Sequence, residues 1–184
     1  MRIISGKFKG RKIVAPKKLP VRPTTDMAKE ALFNILNHRF YFDELSVLDL
    51  FSGTGNISYE FASRGTEQIL AIDSHYGCVK FINQTTENFD FTIQTIKSDV
   101  FKFLESTTQK HSIIFADPPY DFSLEAFSKI PYLVFQNDLL EEDGLLIVEH
   151  SKHTNLSNLK HFEYTKHYGG NAFSFFSKAT EING

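Results

Sequence analysis

Short apolar runs alternate along this chain with stretches whose apolar positions recur at helical spacing. Residues 46–51 (SVLDLF), 68–73 (QILAID), 92–97 (TIQTIK), 112–117 (SIIFAD) and 144–150 (GLLIVEH) are brief and rich in branched aliphatic side chains, which predicts strands. Between them, Ala28, Ala31, Leu32, Ile35 and Leu36 fall on one helical face, predicting a helix over 28–37 with Thr25 or Asp26 as its cap. Further helices are expected over 57–64, where Gly65 ends the pattern, over 76–88 and 100–106, and within 124–137. Two later runs, 163–168 and 172–178, flank a glycine pair and predict an antiparallel partnership. Alternation of strand and helix implies an α/β fold: a mostly parallel sheet covered on both faces, with an antiparallel final strand. The first residues differ. Ile3, Ile4, Phe8, Ile13 and Val14 supply β-forming side chains while Gly6 and Gly10 supply turns, so a small N-terminal β-hairpin extension is expected there.

Composition adds bounds. A chain of 184 residues, 41% hydrophobic and 23% charged, suits one main α/β domain, expected over 25–184, with a separate arm over 1–24. The first residues carry no apolar leader, no stretch approaches the length of a membrane span, and the single Cys allows no internal disulfide, so a cytoplasmic protein is expected. Seven His residues show no ligand spacing, and no metal is expected. Net charge is only −2, but it is unevenly distributed. Residues 1–39 hold ten Lys and Arg against two acids, a net of +8, and the rest of the chain is −10. A basic arm of this kind neutralises phosphates and points to a nucleic-acid partner whose binding falls steeply with salt. A solvated lysine-rich tail would carry the same charge.

Candidate chemistry lies at two strand ends. After the strand over 46–51, the chain reads Asp49-Leu50-Phe51-Ser52-Gly53-Thr54-Gly55-Asn56. Gly53 and Gly55 permit positive φ and close backbone approach, as a nucleotide-type ligand requires at the first strand-to-helix crossing. No G-x-G-x-x-G is present, and no Lys follows the glycines, so neither a dinucleotide site nor a P-loop is supported. An acid four positions before Gly53 suits an ammonium group better than phosphates, and S-adenosylmethionine has one. The plainer alternative is a glycine turn capped by Asp49.

The second site is Asp117-Pro118-Pro119-Tyr120, directly after Ile113-Ile114-Phe115-Ala116. Two prolines fix the backbone and leave carbonyls as pure acceptors, which suits an amino group, and Tyr120 offers a face for stacking. Acceptors on the two hydrogens of an exocyclic base amine would draw its delocalised lone pair toward nucleophilic geometry. A proline-stiffened surface turn is the alternative. Cys78 could serve as a nucleophile for carbon methylation, but it follows the second strand instead of occupying the DPPY position and reads better as a small buried thiol.

The two motifs in this order resemble Rossmann-like methyltransferases that act on exocyclic base amines. Met1-Arg2-Ile3-Ile4-Ser5-Gly6-Lys7-Phe8-Lys9-Gly10-Arg11-Lys12, Arg22-Pro23-Thr24-Thr25-Asp26 with Glu30-Ala31-Leu32-Phe33, and Tyr168-Gly169-Gly170-Asn171 narrow the resemblance to the RsmD family of bacterial 16S rRNA guanine-N2 methyltransferases. That resemblance spans nearly the whole chain. It implies S-adenosylmethionine as cofactor and ribosomal RNA as partner, within the small subunit or an assembly intermediate, with no membrane. By the same resemblance Asp49 would hold the methionine end, with Phe51, Gly53, Thr54 and Gly55 completing the loop, and Asp99 with Val100 would meet the adenine. Such relatives carry Glu where this chain has Ala71, so the ribose role falls to Asp73; helix capping is the alternative for Asp73 and Asp99. Asp117, Pro118, Pro119 and Tyr120 would hold the target amine and base. Lys7, Lys9, Arg11, Lys12, Arg22 and Thr24 would face RNA, although the segment around Arg22 and Thr24 could instead merely join arm to helix. Two other functions remain compatible with parts of the pattern: a DNA adenine-N6 methyltransferase, for which the chain is short, and a non-catalytic RNA-binding assembly module.

Overall fold

The computed structural model describes residues 1–178. Its elements run α1 (Asp26–Asn37), a 3-10 turn (Phe42–Glu44), β1 (Ser46–Leu50), α2 (Asn56–Ser63), β2 (Gln68–Asp73), α3 (Tyr76–Phe89), β3 (Ile93–Lys97), α4 (Val100–Ser106), β4 (His111–Ala116), α5 (Leu124–Gln136), β5 (Leu140–Ser151), β6 (Phe162–Tyr168) and β7 (Asn171–Phe176). The strands form a mixed sheet ordered β3-β2-β1-β4-β5-β7-β6. β1 with β2, β2 with β3 and β4 with β5 pair parallel, whereas β7 runs antiparallel to both β5 and β6. This is the mostly parallel Rossmann-like sheet with an antiparallel end that the alternating pattern implies.

Two compact units divide the chain, Met1–Val100 and Phe101–Gly184. In the first, every residue of β1 is buried, as expected for a central strand with helices on both faces. Phe33, Phe42 and Phe61 pack against one another in this unit, with the Arg64 guanidinium lying 4.7 Å from the Phe33 ring centre. In the second unit β4 and β7 are buried along their full length, while β6 is only half-buried, the mark of a sheet edge.

Most strand limits differ from the sequence pattern by a residue or two, and three departures have a local cause. β1 stops at Leu50 because Phe51 takes a left-handed φ of 55°, which no continuing strand allows. Asp117 lies past the end of β4, in the proline-containing turn. β5 begins at Leu140, not near Gly144: Glu141, Glu142 and Asp143 are exposed and interrupt the apolar run, yet their backbone already belongs to the strand. The register with β4 shifts between His111 and Ile113, and a Cβ on Gly144 would meet the Glu141 carbonyl oxygen at 2.9 Å, so the irregularity requires glycine.

The arm is hairpin-like but barely a sheet. One antiparallel bridge joins Arg2 to Lys12, supported by bonds from Ile3 N–H to the Arg11 carbonyl, Gly10 N–H to Ile3 and Ile13 N–H to Met1. Its backbone instead docks on α2. Ile4 and Ser5 donate N–H to the two carboxylate oxygens of Glu60, Lys7 N–H to the Ser63 carbonyl at 2.7 Å, and Phe8 N–H to Ser63 Oγ.

Candidate functional site

In the first unit the turn after β1 is built from its own backbone. Gly55 N–H donates to the Ser52 carbonyl at 2.8 Å, and Ser52 N–H donates to the Ile72 carbonyl, tying the turn to β2. Gly53 and Gly55 have φ of 54° and 87°, conformations that a side chain disfavours. Space also decides at Gly55, where a Cβ would lie 2.7 Å from the Tyr59 ring; at Gly53 it would lie 3.2 Å from Val21. Gly55 then caps α2, and Thr54 is buried beside it. The two glycines are therefore required by the turn's own left-handed φ and by the close approach of Val21 and Tyr59.

The acids expected at this site have distinct surroundings. Asp73, at the end of β2, accepts Gly53 N–H at Oδ2 and His75 N–H at Oδ1, both at 2.8 Å, so one carboxylate fastens two loops. Asp49 is buried in β1, and its Oδ2 accepts the Ser58 hydroxyl of α2 at 2.6 Å. Burial pushes its carboxyl up to about 7, Ser58 pulls it back, and the charge of Asp73 adds to the rise. Asp99 is exposed just before α4, and Val100 is buried in its first turn. Phe51, half-buried, occupies the left-handed corner between strand and loop. Cys78 is buried in α3 with its thiol pushed up to about 11, which leaves it far from a thiolate at neutral pH.

In the second unit Asp117-Pro118-Pro119-Tyr120 follows β4 as a turn, with Asp117 half-buried, Pro118 buried and Pro119 exposed. Pro119 accepts the Phe122 N–H at 3.1 Å, closing the turn. The Tyr120 hydroxyl faces the Glu149 carboxylate of β5 at 3.4 Å.

Of the residues expected to face RNA, Lys7, Lys9, Arg11, Lys12 and Arg22 are exposed. Arg11 lies 5.3 Å from the ring centre of Phe89, and Phe8 packs edge-on against Phe89 and Phe91. Thr24 is buried, and its carbonyl accepts from Asn56 Nδ2, while Thr25 caps α1 through Ala28 N–H. Lys29, one of the cations of the basic segment, does not contribute to an external field: it is 1% exposed and pairs with Glu60, itself fully buried. Sequence reasoning missed Lys29, Glu60 and Glu149, since a lone charge on a helix or at a strand end reads as solvent-facing. Among the described residues no group of His, Cys, Asp and Glu could hold a metal, and no helix is long and apolar enough to cross a membrane.

The family model described as conserved hypothetical protein 95 matches residues 1–177. The chain belongs to this family, the RsmD family. Ribosomal RNA small subunit methyltransferase D of Haemophilus influenzae is 30% identical over 159 residues, covering 83% of this chain and 79% of that protein. Among solved structures, a hypothetical protein of Thermus thermophilus, TTHA0928, superposes with a TM-score of 0.83 at 25% identity, covering 97% of this chain and 99% of that one. The T. thermophilus 16S rRNA N2 G1207 methyltransferase (RsmC), solved in complex with AdoMet and guanosine, shares the fold with a TM-score of 0.65 at 19% identity, over 88% of this chain and 45% of that one. The RsmD-family chain therefore carries its glycine turn and its DPPY turn on a methyltransferase fold.

Proposed function

We propose that this protein uses S-adenosylmethionine to methylate the exocyclic N2 of a guanine in 16S ribosomal RNA. The observation that carries the reading is the Asp117-Pro118-Pro119-Tyr120 turn at the carboxyl end of a buried central strand, in a chain of the RsmD family. Its backbone acceptors and its tyrosine suit an aromatic amine. The glycine turn of Gly53 and Gly55 supports the cofactor part: it is a tight left-handed turn at the carboxyl end of a buried strand, where the first strand-to-helix crossing of an α/β sheet holds nucleotide-type ligands. A 16S rRNA N2 methyltransferase of the same fold binds AdoMet and guanosine, a likeness of fold alone.

When bound, S-adenosylmethionine supplies an electrophilic methyl group on a sulfonium. Gly53, Thr54, Gly55 and Asp73 would hold it, with Asp49 beneath the turn and Asp99 and Val100 at the adenine. Asp117 and the Pro118 carbonyl accept the two hydrogens of N2, and Tyr120 stacks on or walls the base once it has left its helix. Methyl transfer to N2 would leave a neutral thioether, and the extra proton on N2 would depart to solvent. No covalent enzyme intermediate is needed. Lys7, Lys9, Arg11, Lys12 and Arg22, in the arm over 1–24, neutralise phosphates and orient the RNA. The reading places the protein in the cytoplasm, where small subunits are assembled.

The test is methyl transfer from labelled S-adenosylmethionine to small subunits from cells lacking this protein, followed by nuclease digestion and mass spectrometry of nucleosides. N2-methylguanosine is the expected product. N6-methyladenosine would move the base assignment to adenine, and absence of transfer beside intact RNA binding would leave an assembly module. Asp117→Ala should abolish turnover while S-adenosylmethionine affinity stays within about twofold of wild type; retained turnover would overturn the role given to Asp117.

A further inference from the structure

Glu149 is a carboxylate that the proposed reaction does not use, yet it is 1% exposed at the end of a central strand. A buried carboxylate is costly unless donors surround it. Its donors include a pair that converges on one oxygen: Asn171 Nδ2 donates to Oε1 at 2.9 Å and the Tyr120 hydroxyl at 3.4 Å. The donors come from the two motifs that stand out in the second half of the sequence, Asp117-Pro118-Pro119-Tyr120 and Tyr168-Gly169-Gly170-Asn171. Asn171 opens β7 opposite Ser151, and Lys152 N–H bonds the Gly170 carbonyl at 3.0 Å, so the glycine turn is fastened to the end of β5. Gly169 has a left-handed φ of 61°, and neither glycine of the pair has an atom within 4 Å of an added Cβ. The pair thus shapes the turn that delivers Asn171 and does not make room for packing.

We infer that Glu149 and Asn171 are positioning residues that set the orientation of the Tyr120 ring at the base site; the inference rests on the reading of Tyr120 as the wall of that site. Asn171 holds the carboxylate through the shorter bond, and the carboxylate in turn tethers the tip of the Tyr120 ring. The tyrosine bond is at the outer end of hydrogen-bond range, so its effect is on direction more than on stability. A base stacking on Tyr120 meets a ring whose tilt is already chosen, which shortens the search for an in-line approach.

The test combines kinetics with labelled-tyrosine spectroscopy on the full chain. Glu149→Gln, Asn171→Ala and Tyr120→Phe should each lower kcat about tenfold, while KM for RNA and S-adenosylmethionine affinity change less than about threefold. Glu149→Gln in the Tyr120→Phe background should add less than about twofold, because the group it acts through is gone. In protein carrying 13C-labelled tyrosine rings, the Tyr120 signal, identified by its loss in Tyr120→Phe, should shift in Glu149→Gln and in Asn171→Ala. An undiminished Glu149→Gln loss in the Tyr120→Phe background, or a Tyr120 signal that stays put in both variants, overturns the inference. The ring signal is read without substrate. Wild-type protein that methylates no guanine but shows the shifts therefore refutes the reaction and supports the tether.

Discussion

Gly53 N–H donates to Asp73 Oδ2 at 2.8 Å, so the acid that ends β2 holds the turn that follows β1. The same carboxylate accepts His75 N–H and thereby fixes the entry to α3. Asp73→Ala removes both acceptors and leaves two donors to find water, at a cost of about 1–3 kcal/mol in stability. Because the glycine turn loses its brace, S-adenosylmethionine affinity should fall more than tenfold, roughly in proportion to the lost ordering. Titration calorimetry on the folded variant checks this. Unchanged affinity would show that the turn keeps its shape without Asp73 and that the carboxylate does not touch the cofactor.

Asp49 gives stability a pH dependence whose sign is fixed by burial. Its carboxyl rises from 3.8 to about 7 in the fold, so the folded chain binds a proton that the unfolded chain has released across that interval. The stability from this proton is complete below 3.8 and drains away as pH climbs toward 7. His111 acts the other way. Burial pulls its imidazole from 6.5 down to about 4, so its stabilising term is present above 6.5 and is lost as pH falls toward 4. The two slopes offset one another in the wild type. Asp49→Asn removes one of them, and its unfolding free energy should rise more steeply with pH than wild type, the gap changing by up to about 4 kcal/mol between acid and neutral pH. Urea unfolding across that range decides the matter; parallel profiles would mean that Asp49 does not titrate there.

Lys29 and Glu60 form a buried pair, with Nζ 3.5 Å from Oε2. Each has other partners. Lys29 Nζ donates to the Arg2 carbonyl and to Asn56 Oδ1 at 2.8 Å, while Glu60 accepts from Ile4, Ser5 and Arg64. Lys29→Met leaves Glu60 with three donors and should cost about 3 kcal/mol. Glu60→Leu strands the lysine together with two backbone N–H groups of the arm, and should cost about 5 kcal/mol. Denaturant midpoints at equal slope would show the order. Lys29→Met as the more damaging change would mean that the arm does not depend on Glu60.

That pair also marks where the sequence stops being legible. β2 and α4 are found at their true limits because the apolar run or helical period ends where the element ends. The start of β5 is lost because Glu141, Glu142 and Asp143 face outward along a strand that continues beneath them. Lys29 and Glu60 lie on different helices, and no local period shows that two opposite charges meet inside the fold. Glu149 is hidden for the same reason, with Tyr120 and Asn171 reaching it from a turn and a strand start far from it in sequence. The glycine turn and the proline turn, by contrast, are local backbone devices, and their residue types alone declare them.

Gly6 controls whether the arm can stay down. Its φ is 84°, and an added Cβ would lie 1.9 Å from the Ser63 carbonyl oxygen, the acceptor of the Lys7 N–H. Neither the strain nor the clash can be relieved by a side-chain movement, because both are in backbone. Gly6→Ala should therefore lift the arm from the end of α2 while leaving the glycine turn intact. Lys7, Lys9, Arg11 and Lys12 would then be held on a loose tether, and binding would have to order them anew. Affinity for a 16S rRNA fragment should drop about tenfold or more, and the slope of log affinity against log salt should flatten by about one for each phosphate the arm no longer neutralises. S-adenosylmethionine affinity should stay within about twofold, separating arm from cofactor loop. Fluorescence anisotropy over a salt series reads the RNA affinity and its slope. If affinity and slope match wild type, the docked arm is a structural brace and the RNA is gripped elsewhere.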